Sequence, residues 1–386
     1  MRRTTPSDPD LAGATLGVEE EYHLLDRGSL QLATRATLSD QAERSAAGRH
    51  LHAEMLTSQL EAATDVCAEL EQVRAAVLAM RAEAAAAANR HGAVLLATST
   101  HPQAGLDQVE IAPRARYQRL LERFAGVVGE FNLCGCHVHV AVPDLEMAVA
   151  VVNHARPYLP VLAALTASSP FHEGTDTGYA SVRLARLALW PQGGPPPHLR
   201  SAHDYLDLVS TLTGTGMIDE PSELLWELRP SSRYPTVEFR IADMCPDIED
   251  ALLYAGLVRS LVRTLARRIA DGTPAPDVPA AMLIASRWRA ARYGLTGRLC
   301  SSPRQVLAPA GQVVEEFWEE LEPDLSEHGE DGLLRPLLEQ LLRRGTSADR
   351  QRRVLAETGS LLDVVRDGVR LTTQAAASGD DTAAAP

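Results

Sequence analysis

Residues 17–26 read GVEEEYHLLD, a strand-like stretch that contains three consecutive glutamates. In a β-strand, side chains two positions apart share one face and lie about 6.5–7 Å apart. Glu19 and Glu21 therefore share one face, whereas Glu20 points to the opposite face together with Tyr22. The stretch predicts a strand that presents carboxylates on one side and packs apolar residues on the other.

Three later stretches repeat this arrangement, each with a reactive pair on one face and apolar residues behind it. The pairs are His137 and His139 in CGCHVHVAV (134–142), Glu238 and Arg240 in PTVEFRIAD (235–243), and Glu227 and Arg229 in ELLWELRPS (223–231). A solvated face is common in antiparallel sheets, but it usually mixes Ser, Thr, Lys and Gln. Gathering ionised carboxylates in one cleft costs several kcal/mol per buried ion unless a cation offsets it. The pattern therefore favours a divalent metal site.

The ligand types indicate which metal. Carboxylates with few imidazoles suit Mg²⁺, with Mn²⁺ as the alternative, better than zinc. Cys134 and Cys136 should point away from His137 and His139, so we interpret them as core cysteines. The HVHV stretch also resembles the H-x-H pair of metal-dependent amidohydrolases, but those are barrels with alternating strands and helices, and this chain lacks that alternation.

Composition excludes several functional classes. The 386-residue chain has a net charge of −14 and a pI of about 5.3, which weighs against nucleic-acid partners. The chain contains no run of 18 apolar residues, so no membrane-spanning helix is expected. The first ten residues lack the apolar region of a secretory signal, and the five cysteines form no disulfide framework, so we expect a cytoplasmic protein.

All 37 basic residues are arginines, because the chain contains no lysine. A Walker A phosphate loop requires lysine, and so does Schiff-base or pyridoxal-phosphate chemistry. A phosphate-handling protein of this composition must therefore use arginine side chains and metal ions.

The organisation of the chain predicts an α+β fold. We expect disordered tails at 1–14 and 374–386 and a single catalytic domain over 15–373, helical from about residue 305. Predicted helices cover 65–90, 116–128, 144–168, 202–213, 247–270, 314–343 and 347–373, the last with Ser347 as its N-cap. Strands and helices do not alternate, so an antiparallel sheet with helices packed against it is expected.

Two further stretches contain groups that suit the same cleft. Residues 54–67 place Glu54 and Glu61 seven positions apart, and the polar loop 174–183 carries Asp176, Thr177 and Arg183. A surface turn is an equally acceptable interpretation of this loop.

These segments, in this order, resemble the carboxylate–amine ligase family called glutamate–cysteine ligase type 2. The matching segments are LGVEEE (16–21), TSQLEAATDVC (57–67), STHP (99–102), RYQRL (116–120), HVHV (137–140), SSPFHEGTDTGYAS (168–181), GPPP (194–197), LLWELRPS (224–231), TVEFRIAD (236–243) and RYGL (292–295). The resemblance covers roughly residues 15–370.

The resemblance implies a glutamine-synthetase-like fold, in which a curved antiparallel sheet forms a cleft that holds ATP and Mg²⁺. It implies metal ligands at Glu19, Glu21, Glu54, Glu61, His137 and Glu238. It implies phosphate- and substrate-binding arginines at Arg183, Arg229 and Arg240. We assign Asp176, Thr177 and Arg240 to cofactor binding, and His139 is the candidate general base.

Three functional hypotheses follow. The first is an ATP-dependent ligase that joins L-glutamate to L-cysteine, or to another amino acid or amine, through an acyl phosphate. The second is a metal-dependent amidohydrolase that uses His137 and His139, and the third is a non-catalytic relative that acts in binding or assembly. ATP dependence separates the first from the second. The resemblance also suggests a homodimer, with the apolar stretch 144–166 as its interface or as core.

Overall fold

A central antiparallel sheet dominates the computed structural model, which describes residues 11–33, 51–302 and 304–377. Its strands are β1 (Leu16–Asp26), β2 (Leu51–Ala53), β3 (Gln59–Ala63), β4 (Ala93–Leu96), β5 (Cys136–Ala141), β8 (Leu228–Pro230) and β9 (Thr236–Phe239). Two separate hairpins consist of β6 (Phe171–His172) with β7 (Thr175–Asp176) and of β10 (Arg298–Ser301) with β11 (Val306–Pro309). The strand order of the main sheet is β2-β3-β1-β5-β9-β8, and β4 pairs with the end of β1.

The strand register places the chemically reactive residues opposite one another. The directly paired residues are Glu21 with Glu61, Glu19 with His137, His139 with Glu238, and Glu238 with Arg229. Residues directly opposite each other in an antiparallel pair project from the same face. One face of the sheet therefore carries a continuous row of carboxylates, imidazoles and a guanidinium group.

Twelve α-helices occur in the described part of the chain. Their bounds are α1 (Leu70–Arg90), α2 (Ala115–Phe124), α3 (Leu145–Ala155), α4 (Leu159–Leu165), α5 (Val182–Leu187), α6 (Ala202–Gly214), α7 (Ile248–Ala270), α8 (Ala280–Tyr293), α9 (Ala310–Glu327), α10 (Asp331–Arg344), α11 (Ser347–Thr358) and α12 (Leu361–Ala377). The predicted α+β class is confirmed.

The reverse face of the sheet packs against α1, α3 and α7. Val18, Val138 and Phe239 are buried there, together with Val77 of α1 and Leu252 of α7. Burying an apolar side chain of this size contributes about 1.5–3 kcal/mol. Because helices cover this face, the period-two pattern of the strands directs the polar residues to the opposite face.

Proline and glycine divide three of the predicted helices. The predicted helix 144–168 is interrupted by a 3₁₀ turn at Arg156–Tyr158, where Pro157 has no N–H to donate. The predicted helices 314–343 and 347–373 are each two helices, separated at Gly329 and Gly359, which have φ angles of +67° and +68°. Such left-handed conformations favour glycine and end a helix.

Other boundaries also differ from the sequence prediction. The predicted helix 65–90 begins at Leu70, because Cys67 instead forms a β-bridge with Leu16. The N-cap of α11 is Thr346 rather than Ser347, and Thr346 forms a capping box with Asp349. Helix α8 and the β10–β11 hairpin were not predicted.

The predicted tails lie largely outside the described residues. Within 1–14, the structure describes a 3₁₀ turn at Leu11–Gly13 followed by the buried Ala14. Within 374–386, it describes 374–377 as the last turn of α12. No helix in the described ranges combines the length and the apolar character that crossing a membrane requires.

Candidate active site

Two groups of potential cation ligands lie on the polar face of the sheet. Within each group, one nitrogen or oxygen atom from every side chain lies within 4.8 Å of the others. The first group, called site 1, consists of Glu19, His139 and Glu238; the second, called site 2, consists of Glu21, Glu54 and Glu61. Strand β1 contributes one carboxylate to each site, because Glu19 and Glu21 are two residues apart.

In site 1, His139 is held between two partners. Its Nε2 lies 3.3 Å from Glu19 Oε1, and its Nδ1 lies 2.9 Å from the Thr236 hydroxyl oxygen. Burial lowers the pKa of His139, but the hydrogen bond to Glu19 and the charge of Glu238 outweigh burial and raise it. A fixed Nδ1 partner leaves Nε2 directed at the carboxylates, an orientation seen in metal-binding histidines.

His137 lies between the two sites. Its Nδ1 is 3.4 Å from Glu19 Oε2 and its Nε2 is 3.8 Å from Glu21 Oε1. Burial and the Arg240 charge lower the pKa of His137 to about 4, so the ring is neutral at pH 7. Its buried Nε2 has no hydrogen-bond partner among the described residues. The sequence assigned His137 as a ligand and His139 as a base, whereas the geometry groups His139 with Glu19 and Glu238.

Two arginines hold the carboxylate of Glu238. Arg229 donates from Nε at 2.7 Å and from Nη2 at 3.1 Å, and Arg240 Nη1 also bonds Glu238. Burial raises the pKa of Glu238, but the charges of Arg240 and Arg229 outweigh burial and lower it below its ordinary value. Glu238 is therefore ionised, and two cationic groups that could bind phosphate lie beside site 1.

Site 2 concentrates negative charge. Burial and the charge of Glu54 raise the pKa of Glu21 to about 7, although the Gly135 N–H donates to Glu21 Oε2 at 2.6 Å. Burial and the charges of Glu54, Glu19 and Glu21 likewise raise the pKa of Glu61. A divalent cation would offset this repulsion, and an all-oxygen ligand set suits Mg²⁺ or Mn²⁺. The residues present therefore fit the metal that the sequence predicted.

Arg183 lies behind His137, with its guanidinium group bonded to main-chain carbonyls. It donates to the carbonyl oxygens of Arg240 at 3.1 Å and Ile241 at 3.3 Å. Gly135 makes this approach possible, since a Cβ there would overlap Arg183 Nη2 and lie 3.0 Å from His137 Nε2. Arg183 thus supports the polar face, and its charge offsets part of the rise that burial causes in the pKa of Glu21.

The structure does not bring Asp176 and Thr177 into either site. Asp176 lies in the β6–β7 hairpin and pairs with Arg352 of α11 at 2.8 and 2.9 Å. The Thr177 hydroxyl donates to the Pro170 carbonyl oxygen at 2.9 Å. Glu227, whose strand pattern paired it with Arg229, instead forms a buried ion pair with Arg287 of α8.

Sequence reasoning missed Thr236 and Gly135. Thr236 precedes the Glu238 pair by two residues, so the same period-two rule could have placed it on the polar face. Gly135 gave no such signal, because its importance comes from the close approach of Arg183, which is distant in sequence.

Solved structures show which fold this is. The structure resembles a glutamate–cysteine ligase from Francisella tularensis crystallised with AMP, with a TM-score of 0.69, 13% identity, and coverage of 96% of this chain and 94% of that chain. It also resembles a bifunctional glutathione synthetase from Pasteurella multocida, with a TM-score of 0.69 and 14% identity; the match covers 95% of this chain but only 53% of that one. The predicted glutamine-synthetase-like α+β fold is thereby confirmed.

Sequence comparison then identifies the family. The chain belongs to the glutamate–cysteine ligase family 2, whose model matches residues 15–367, and it is a ligase that forms carbon–nitrogen bonds. A relative from Salinispora arenicola, provisionally named glutamate–cysteine ligase 2, is 39% identical over 379 residues, covering 97% of this chain and 99% of the relative.

Proposed function

We propose that the protein is an ATP-dependent carboxylate–amine ligase that forms an amide through an acyl phosphate. The observation that carries this proposal is the pairing of sites 1 and 2 beside Arg229 and Arg240 on one face of the sheet. The AMP complex of the Francisella tularensis ligase supports nucleotide use. The substrates proposed first are L-glutamate, reacting through its γ-carboxylate, and L-cysteine, with another amino acid or amine as the alternative acceptor.

Sites 1 and 2 are proposed to hold divalent cations, Mg²⁺ or Mn²⁺. Glu19, His139 and Glu238 would bind one ion, and Glu21, Glu54 and Glu61 would bind another, with His137 between them. Bound cations would neutralise the phosphate oxygens during transfer. The Nε2 atoms of both histidines face the carboxylates of these sites: that of His139 lies 3.3 Å from Glu19 Oε1, and that of His137 lies 3.8 Å from Glu21 Oε1.

The arginines are proposed to orient the phosphoryl group. Arg240 and Arg229 are fixed by Glu238, and their fork-shaped guanidinium groups suit phosphate and carboxylate oxygens. In a chain without lysine, arginines are the permanently cationic side chains available to bind phosphate. Positioning and fixed charge supply most of the rate in phosphoryl transfer.

The reaction has two steps. A carboxylate oxygen of the first substrate attacks the γ-phosphorus, and ADP leaves. The amine then attacks the acyl carbon, its proton is lost, and phosphate leaves with the oxygen that came from the carboxylate. His139 can accept this proton only while no cation occupies its Nε2, because its Nδ1 already lies 2.9 Å from the Thr236 hydroxyl oxygen.

The fold does not support the amidohydrolase hypothesis, which expected a barrel. His137 and His139 lie on an antiparallel strand rather than in a barrel of alternating strands and helices. The chain's family is also a ligase family. A hydrolase would need no ATP, so nucleotide dependence separates the two reactions directly.

Phosphate release from ATP with Mg²⁺ tests the proposal. L-Glutamate, L-aspartate and other carboxylates are each assayed with and without a panel of amines that includes L-cysteine. Release that requires both a carboxylate and an amine supports the ligase and names its substrates. No phosphate release from any combination, together with no binding of ATP to the protein, would contradict the proposal.

A further inference from the structure

The middle glutamate of the β1 triplet points away from both sites and is fully buried. Its carboxylate accepts hydrogen bonds from Arg81 Nε at 2.8 Å and Nη2 at 2.6 Å. The Tyr22 hydroxyl also donates to Glu20, at 2.6 Å. The side chains of Glu20 and Arg81 are 0% and 1% exposed. An ionic network therefore lies beneath the strand, on the face opposite the cation sites.

Arg81 also contacts the segment that follows β9. Its Nη1 donates to the Pro246 carbonyl oxygen and its Nη2 to that of Cys245, both at 2.6 Å. Strand β9 and the residues after it carry Glu238 and Arg240. One side chain of α1 thus connects the strand that supplies Glu19 and Glu21 to the segment continuing from the strand that supplies Glu238.

Stability alone is a weak reason for such a network. Removing two charges from water costs several kcal/mol per ion, and well-packed apolar replacements of buried ion pairs are often neutral or stabilising. The location gives a better reason. Glu20 sits between Glu19 and Glu21, so a rotation or shift of β1 moves one ligand of each site at the same time.

The carboxylates of site 2 give a second reason for an anchor behind β1. The carboxylates of Glu21, Glu54 and Glu61 lie within 4.8 Å of one another, so when they are ionised without a cation they repel one another across the β1–β3 pair. The bidentate Arg81 contact anchors β1 from behind, through a planar group with little freedom to rotate.

We propose that Glu20 and Arg81 are positioning residues that set the placement of Glu19 and Glu21 for cation binding. This inference rests on the proposed cation sites. Groups that orient metal ligands through direct hydrogen bonds commonly change metal affinity by about 10–100-fold when they are removed. Glu20 and Arg81 act through the β1 main chain, so we expect an effect at the lower end of this range.

The test is direct Mn²⁺ binding, measured by electron paramagnetic resonance of the free ion without substrates. The variant carries Glu20→Met and Arg81→Met together, which replaces the ion pair by apolar side chains. We expect a folded variant with a lower unfolding temperature, because the Tyr22 hydroxyl and the carbonyl oxygens of Cys245 and Pro246 lose their partners, and a Mn²⁺ dissociation constant at least tenfold higher. Wild-type Mn²⁺ affinity in a folded double variant would overturn the inference.

A matched control separates positioning from burial of charge. Arg263 and Asp324 form another buried pair, 2% and 1% exposed, which links α7 to α9. Arg263→Met with Asp324→Leu should leave the Mn²⁺ dissociation constant within twofold of wild type. An equal loss of affinity in this control would overturn the positioning role.

If the double variant fails to fold, a second variant tests the inference. Arg81→Lys keeps the charge but loses the bidentate geometry, and it should also weaken Mn²⁺ binding; unchanged binding would overturn the inference. If the wild-type protein binds no Mn²⁺, the proposed cation sites fail, and the inference fails with them. Wild-type binding that is lost in Glu61→Gln but retained in the double variant would overturn the inference alone.

Discussion

Glu238 connects the two chemical components of the site, because it is a candidate cation ligand and also holds two arginines. Arg229 and Arg240 both bond its carboxylate, and His139 lies opposite it in the sheet. Neutralising this carboxylate changes a cation ligand and the orientation of both guanidinium groups in a single substitution.

Glu238→Gln is expected to reduce turnover by about 10²-fold or more, the range typical of losing one fixed electrostatic group at a reacting centre. The amide keeps the size of the side chain, so the folded structure should persist with a lower unfolding temperature. Steady-state rates and thermal unfolding measure the two effects. Glu319→Gln, on an exposed position of α9, is the control. Near-normal turnover in the Glu238 variant would remove Glu238 from the site.

At the residue scale, the sequence predicted the face of most of the candidate side chains, but not that of Glu227, which pairs with Arg287. The period of two placed Glu19, Glu21, His139 and Glu238 correctly, since a covered reverse face fixes the strand's orientation. It placed Glu20 on the opposite face but named no partner for it. Which helix residue reaches Glu20 depends on packing between distant segments, and local spacing carries no information about it.

At the element scale, the loop after β4 is tied to the turn after β1 by a neutral histidine. His101 Nδ1 accepts main-chain N–H bonds from Gln103 at 3.1 Å and Ala104 at 3.0 Å, and its Nε2–H donates to the Leu30 carbonyl oxygen at 2.9 Å. Burial lowers the pKa of His101 below its ordinary value. Protonation of Nδ1 would break both main-chain bonds.

This arrangement predicts acid sensitivity. The unfolded chain binds a proton at His101 below about pH 6.5, whereas the folded protein resists it, so the free energy of unfolding falls as the pH drops below 6.5. His101→Asn should lower stability at pH 7.5 and flatten this pH dependence. Denaturant unfolding from pH 7.5 to 5 measures both slopes. Parallel slopes in wild type and variant would contradict this role.

Element boundaries followed local chemistry only in part. Gly92, with a φ of +70°, ends α1 where the sequence predicted, because a left-handed glycine is a strong local signal. The predicted helix 144–168 passed over Pro157 because its apolar periodicity continues on both sides of the proline. Helix α8, from Ala280 to Tyr293, was missed, and its mixed sequence of arginines and small residues has no clear apolar stripe.

At the scale of the whole molecule, the α+β class was predictable from the lack of strand–helix alternation, but the strand order was not. Strand order depends on which distant segments pair, and β1 is the centre that joins the early strands to β5. The convergence of residues 54–61 with 19–21 and 238 follows from that order. Glu54 was predicted as a metal ligand from the family resemblance, because strand periodicity gave only weak support for it.

The three carboxylates of site 2 are expected to lower the stability of the metal-free protein. Burial and the neighbouring carboxylates raise the pKa of Glu61, so this acid costs stability at pH 7 when no cation is bound. Glu61→Gln removes the acid, and the metal-free protein should become more stable by about 0.5–2 kcal/mol. The same substitution should reduce the stabilisation that Mg²⁺ gives to wild type by mass action. Thermal unfolding with chelator and with Mg²⁺, at matched ionic strength, measures both. A less stable metal-free variant with full Mg²⁺ stabilisation would contradict the assignment of site 2.

Oxygen transfer during turnover tests the central claim most directly. L-Glutamate labelled with ¹⁸O in its γ-carboxylate is incubated with ATP, Mg²⁺ and the amine that supports phosphate release, with L-aspartate labelled in its β-carboxylate in parallel. The released phosphate is then analysed by mass spectrometry. An acyl-phosphate ligase predicts one ¹⁸O atom in each phosphate formed from the active carboxylate. Phosphate that is released in the presence of both substrates but carries no ¹⁸O would contradict the account.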